Sequence, residues 1–191
     1  MNFTERVQNL SAEGAYQRAR VEGSANNAVL EGTQRLAIGR GIFDADVILY
    51  DKPQIVADVQ MENASIGDTS LAAARAKINY RNGSGTAQIV AEGRNQVPFR
   101  IAANAELTPK LWRIAAKGRA NSIDFATAGP LRIVPDRTGY EIRPAVIEVG
   151  NGKVQLAGRY GDGLELQSRL DGVNLAVLNP MLPGLGLGGR V

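Results

Sequence analysis

Asp44 and Asp46, in the stretch FDADV, stand two residues apart. A strand would project both carboxylates from one face, as a pair of metal ligands or an acid/base couple requires. Two carboxylates with no further oxygen cluster beside them make a poor calcium site, so the pair reads as a solvated face or a strand end. Arg113, Lys117 and Arg119 share another face, with Lys110 beside them, and cations so placed can contact phosphates of lipid or nucleic acid. Nucleic-acid readers interleave such a stripe with stacking aromatics. None is interleaved here, so no nucleic-acid partner is expected and the stripe reads as a solubilising outer face. Asp136 with Arg137, and Glu141 with Arg143, read as surface ion pairs. The segment GLGLGG at 184–189 spells G-x-G-x-x-G. That motif works by delivering a pyrophosphate to a helix N-terminus after a strand. Here Pro183 precedes it, and it reads as a flexible re-entry into another strand.

The 191 residues include neither cysteine nor histidine. Disulfides, zinc sites built on those residues, cysteine nucleophiles and Ser-His-Asp triads are thereby excluded. Nothing marks a nucleophile beside a base, so the expectation is a non-enzyme with no catalytic residue, no metal and no cofactor. A net charge of +3 gives only weak attraction to anionic surfaces. No stretch reaches the roughly 18 to 20 apolar residues that span a bilayer, and MNFTERVQNL lacks the apolar core of a secretory signal. The expectation is a chain soluble as given, or a piece excised from a longer protein. The ending LPGLGLGGRV favours the second, because Gly189-Arg190-Val191 looks like the start of another strand.

What must position these residues is a succession of strands. In GKVQLAGRYGDGLELQSRL (152–170), Val154, Leu156, Gly158 and Tyr160 fall on one parity, as do Leu164, Leu166, Ser168 and Leu170 after the Gly161-Asp162-Gly163 turn. Lys153, Gln155, Arg159, Glu165, Gln167 and Arg169 take the other, which makes a ribbon with one greasy and one wet side. The same period runs through Ile55, Ala57, Val59 and Met61, through Phe99, Ile101, Ala103, Ala105 and Leu107, and through Trp112, Ile114, Ala116 and Gly118. Ile123 and Phe125, Leu131 and Ile133, and Tyr140 and Ile142 continue it. Turn signals recur every 8 to 15 residues, among them Asn82-Gly83 and Asn151-Gly152, dipeptides that accept positive φ in tight hairpins. LAAARAKINY (71–80) is rich in helix formers, yet Ala72, Ala74, Ala76, Ile78 and Tyr80 alternate, and the strand reading is preferred. In the stretch 172–186, Leu175, Leu178 and Leu182 have helical spacing, with Asn174 as a cap, which predicts one short helix at about 174–179.

The expected fold is therefore all-β: about a dozen strands in a long antiparallel meander, one continuous segment over 1–191 without an internal boundary. A dozen strands at about 4.8 Å each make a sheet of roughly 60 Å, which must close, fold into a sandwich or curl into an open groove. Hydrophobic residues are 44% of the chain but aromatics only 5%. An interior built from small and branched side chains suits an open layer better than a dense globule.

Two stretches carry a family resemblance. YRNGSGTAQIVAEGRNQVPFRIAANAEL (80–107) is similar to hairpins of the TamB family, the inner-membrane subunit of the translocation and assembly module. The stretch 139–191, with its LNPMLPGLGLGG element, resembles the family segment in which an L-x-G strand leads into a DL-x-LLNPLLPGLGLGG loop. Asn174-Leu175 departs from the usual Asp-Leu. The resemblance covers about residues 76–191. It implies an internal periplasmic fragment of an envelope protein of a Gram-negative bacterium, whose inner-membrane anchor is absent from this chain. It further implies a "β-taco" groove, as in the wider AsmA-like, repeating β-groove superfamily. The implied partners are phospholipid acyl chains, an Omp85-type outer-membrane barrel (TamA-like) and nascent outer-membrane proteins.

A lipid crossing water must keep its tails dry, at about 0.8 kcal/mol per buried CH₂, and a continuous apolar lane does this without one tight site. Ile101, Ala103, Trp112, Ile114, Ala116, Val154, Leu156, Leu164 and Leu166 are the expected groove-lining residues. The alternatives are a chaperone-like scaffold that binds nascent outer-membrane strands by β-addition, and a closed β-sandwich of a secreted binding protein.

Overall fold

The computed structural model describes residues 2–11, 18–30, 35–49, 53–161 and 163–173. The protein is all-β and antiparallel, and its chain divides into two compact units, Met1–Asn95 and Gln96–Val191. The expected helix at 174–179, with the GLGLGG segment, lies outside the described residues.

The first unit contains β1 (Asn2–Ser11), β2 (Arg18–Leu30), β3 (Leu36–Ile48), β4 (Gln54–Ile66), β5 (Thr69–Arg81) and β6 (Ser84–Asn95), each paired antiparallel with the next. LAAARAKINY belongs to β5, a strand as its alternation requires. Two-residue turns join the later strands. Asn82 and Gly83 both take positive φ (53° and 82°) between the paired residues Arg81 and Ser84. This double left-handed turn matches the right-handed twist of the strands it connects.

Residues directly opposite on antiparallel strands share a face. One apolar row of the first unit is Gly23, Phe43, Val59, Ala76 and Ile89, crossing β2 to β6. The opposite face carries Arg20, Glu22, Asp44, Asp46, Asp58, Arg75 and Lys77. Part-way along β2 to β4 the alternation slips. Asn27 (φ 50°) and Asn63 (φ 51°) are left-handed, with Gly39 between them on β3. Beyond this row the apolar residues change parity, from Ala25 to Ala28, from Gly41 to Ile38 and from Met61 to Ala64. A Cβ built on Gly41 would stand 3.2 Å from Ile38 Cγ2 and 3.8 Å from Ala25 Cβ, so all three share one face. Ala25, Ala28, Gly41 and Ala64 are the buried residues of this unit among those described. The sheet is creased at the asparagine row, and the buried residues beside it are three alanines and a glycine.

The second unit contains β7 (Val97–Leu107), β8 (Trp112–Ala120), β9 (Ile123–Thr127), β10 (Leu131–Pro135), β11 (Tyr140–Val149), β12 (Gly152–Tyr160) and β13 (Leu164–Asp171). Strands β9 and β10 share one lane between β8 and β11. Residues 123–126 of β9 pair with 117–120 of β8, and 131–133 of β10 pair with 112–114. The lane is interrupted at Ala128-Gly129-Pro130, because Pro130 has no N–H to give a ladder. Thr127 Oγ1 accepts from Ala116 N–H (3.2 Å) and Ala128 N–H donates to the Val146 carbonyl (2.9 Å), which holds the ends of the break in place. A register shift in β11 between Ile142 and Ala145, at Arg143-Pro144, faces the same break. Between β11 and β12 the two-residue turn is Gly150-Asn151, with φ +57° at Gly150. The positive φ thus falls one residue before the expected Asn151-Gly152. Gly152 instead opens β12, where a Cβ would meet Gly172 and Val173 backbone at 2.6 Å.

Candidate functional site

The register of the second unit gathers the expected groove-lining residues onto a single face. One row runs Leu107, Trp112, Ile133, Ile142, Gly158 and Leu166 across six strands. The next runs Ala105, Ile114 and Leu131, and continues past the β11 shift as Ala145, Leu156 and Ser168. A third joins Ala103 to Ala116, reaches Thr127 through its hydroxyl, and goes on through Ile147, Val154 and Leu170. Ile101, Gly118, Phe125, Val149 and Gly152 form a fourth. Pro135, Tyr140, Tyr160 and Leu164 border the face at its other end; only the register position of Leu164 is described, its side chain being outside the described residues.

This face is not a sealed core. Among the described residues of the unit only Ala120 and Val173 are buried apolar side chains. Ile101, Ala103, Trp112, Ile114, Ala116, Val154 and Leu156 are half-buried, and Leu166 is 55% exposed. A closed sandwich buries its leucines, isoleucines and aromatics between two layers. Among the described residues of the whole chain no leucine, isoleucine or aromatic side chain is buried.

Three aromatic rings collect near the Leu166 end. Trp112 and Tyr140 lie 5.0 Å apart between centroids, and Tyr140 and Tyr160 lie 6.4 Å apart, nearly parallel. Both tyrosines are more than one-third exposed. Toward the opposite end the Phe125 ring covers Gly118, where an added Cβ would stand 2.6 Å from Phe125 Cζ. Tyr140, Tyr160 and Phe125 share the alternation of the expected residues, but Ala145, Ile147 and Val149 do not share parity with Ile142. The β11 shift that returns them to the face is signalled in the sequence only by Pro144.

The wet face is bound by ion pairs. Arg113 Nη1 reaches Glu106 Oε2 at 3.3 Å, and Arg119 grips Asp124 with two bonds of 2.6 and 2.7 Å. The hydrogen bonds from Arg119 hold the Asp124 carboxyl below the usual carboxylate range. Asp136 pairs with Arg159 (2.9 Å) rather than with its neighbour Arg137, and accepts from Thr138 N–H (2.7 Å). In the first unit Asp46 is gripped by Arg18 (3.1 and 2.8 Å), while Asp44 lies opposite Glu22 and Asp58. Among the described residues no cluster of carboxylates is arranged to hold a metal ion. No helix of the described residues is long and apolar enough to cross a membrane.

Comparison of the chain with protein-family models, with curated proteins and with solved structures found no match.

Proposed function

We propose that the apolar face of the second unit is a lane for phospholipid acyl chains, within a TamB-like protein of the Gram-negative periplasm that moves lipid between the inner and outer membranes. In this reading the chain is not an enzyme and binds no cofactor. It acts beside an Omp85-type, TamA-like outer-membrane barrel and contributes to outer-membrane protein assembly. The observation that carries the reading is the in-register apolar face of β7–β13, unsealed, with Leu166 and Tyr160 more than half exposed. Such a face costs free energy in water, at about 25 cal/mol per Å² of apolar surface, and acyl chains are an occupant that removes this cost. The rows extend over six strands without converging on a polar anchor, which suits a guest that slides rather than one held at a point. The resemblance of residues 76–191 to TamB supports the compartment and the partners.

The test is in-cell crosslinking. A photo-reactive residue at Ile114 or Leu156 captures phospholipid, whereas one at Arg113 or Gln155 on the wet face does not. Equal capture from both faces contradicts the lane. Capture of nascent barrel proteins from Ile114 and Leu156, without lipid, supports the chaperone-like scaffold instead.

A further inference from the structure

The cations of the second unit are not spread evenly over its wet face. On β11–β13 the charges balance, four cations against four carboxylates: Arg159 lies between Glu141 and Glu165, Lys153 lies between Glu148 and Asp171, Arg169 lies opposite the neutral Gln155, and Arg143 stands at the β11 register shift. On β7, β8 and β10 the arrangement is different. Arg119 has Asp124 on one side and Arg100 on the other, and Arg113 has Glu106 on one side and Arg132 on the other. Lys117 lies between them, opposite Ala102 and Ala126. All five cations are exposed. Two like-charged pairs directly opposite one another disfavour the fold; β7–β10 carry only two carboxylates, Glu106 and Asp124, and Arg100 has a further interaction of its own. Among the described residues Lys117 and Arg132 have no ion-pair partner.

We propose that this basic band is a docking surface for an anionic bilayer, recognising the phosphates of lipid headgroups. It rests on the opposite face from the acyl-chain lane and does not depend on that reading. Three features select this occupant. The residues between the cations are Ala102, Asn104, Ala115 and Ala126, too small to serve as the buried aromatic or arginine anchors that concentrate energy in protein interfaces. Trp112, Phe99 and Phe125 all lie on the other face, so no ring is available to stack a base. Among the described residues no polar side chain is buried, so none converges on a point where a single phosphate would sit. What remains is a spread of positive charge, which attracts an extended anionic surface over about a Debye length.

The experiment is co-sedimentation of the full chain with vesicles of phosphatidylcholine alone and of phosphatidylcholine mixed with phosphatidylglycerol, at low and high salt. The band predicts binding to the anionic vesicles at least fivefold tighter than to the neutral ones, and its loss at high salt. The double variant Lys117→Gln/Arg132→Gln, which leaves the Arg113–Glu106 and Arg119–Asp124 ion pairs intact, loses most of that preference. Lys153→Gln/Arg169→Gln on the balanced strands keeps it. Equal binding to both vesicles, or a salt-resistant preference, or unchanged binding by Lys117→Gln/Arg132→Gln with an unchanged circular dichroism spectrum, overturns the proposal. So does retention of a duplex DNA or a polyglutamate peptide with no retention of anionic vesicles. Crosslinking from Ile114 reads the lane separately, so failure of one face leaves the other to be judged alone.

Discussion

Asn27 on β2 and Asn63 on β4 hold the same left-handed backbone, φ 50° and 51°, on either side of Gly39. The left-handed region costs most side chains about 1–2 kcal/mol, and asparagine is among the few that visit it routinely. These two residues let three neighbouring strands shift parity together, so that the apolar side chains remain on one face past the crease.

The crease predicts a pattern of tolerance. Asn63→Gly retains stability, while Asn63→Val lowers it by about 1–2 kcal/mol, the penalty of a branched residue at positive φ. Gly39→Val is worse than Gly39→Ala, because a Cβ at Gly39 already stands 2.9 Å from Asn63 Cβ. Urea midpoints of the four variants check this order; equal midpoints for Asn63→Gly and Asn63→Val contradict it.

Gly118 is restricted by its neighbours rather than by φ. A Cβ there meets both the backbone carbonyl oxygen of Arg100 on β7 and the Phe125 ring, so Gly118→Val strains the β7–β8 pairing as well as pushing the ring off the apolar face, at a cost of about 1–3 kcal/mol, the usual penalty of overpacking. The variant Gly118→Val/Phe125→Ala recovers part of the loss in thermal unfolding. Additive losses mean that the two side chains do not meet.

Asp46, Asp58, Asp124 and Asp136 have pKa values below the ordinary carboxylate. Hydrogen bonds from Arg18, Arg75 and Arg119 are the main causes for the first three, and the Thr138 N–H for the last. A depressed folded pKa contributes stability that is complete above the unfolded value of about 3.9, and this is lost as pH falls through the folded value. Stability therefore declines on acidification below about pH 4, and replacing all four by asparagine flattens that decline. These groups are exposed, so the effect is modest and is reduced by salt. A quadruple variant with the same acid limb as the parent contradicts the assignment.

A charge in the lane separates function from folding. Ile114→Asp reduces phospholipid capture at Leu156 at least tenfold while lowering stability by about 1–2 kcal/mol, since Ile114 is only half-buried. Arg113→Asp, one residue away on the wet face, leaves capture unchanged. Loss of capture in both variants points to damage of the sheet rather than of the lane.

Strand identity was legible because a period of two is imposed by the backbone itself, and LAAARAKINY followed its alternation into β5 despite its helix-forming residues. The parity of Trp112, Ile114, Val154 and Leu156 was enough to place them on one face, since no irregularity intervenes within β8 or within β12. Where a bulge or a left-handed residue intervenes, parity misleads: Ile147 returns to the face only because β11 shifts at Arg143-Pro144, and Ala64 only because Asn63 turns. Asp136 chooses Arg159 over Arg137 for a related reason. Asp136 and Arg137 lie in the turn after β10, where Asp136 accepts from Thr138, whereas Arg159 is brought from 23 positions away by the pairing of β11 with β12. Such partners are set by register, which no local pattern records.

Trp112 is the chain's single tryptophan, lies on the apolar face between Leu107 and Ile133, and so reports directly on what enters it. Phospholipid with brominated acyl chains, compared with the same lipid unbrominated, measures contact between tails and indole. The lane predicts strong quenching of Trp112 and little quenching when the indole is moved one residue to the wet face by Trp112→Phe/Arg113→Trp. Quenching of equal depth at both positions, or at neither, contradicts an apolar face open to acyl chains.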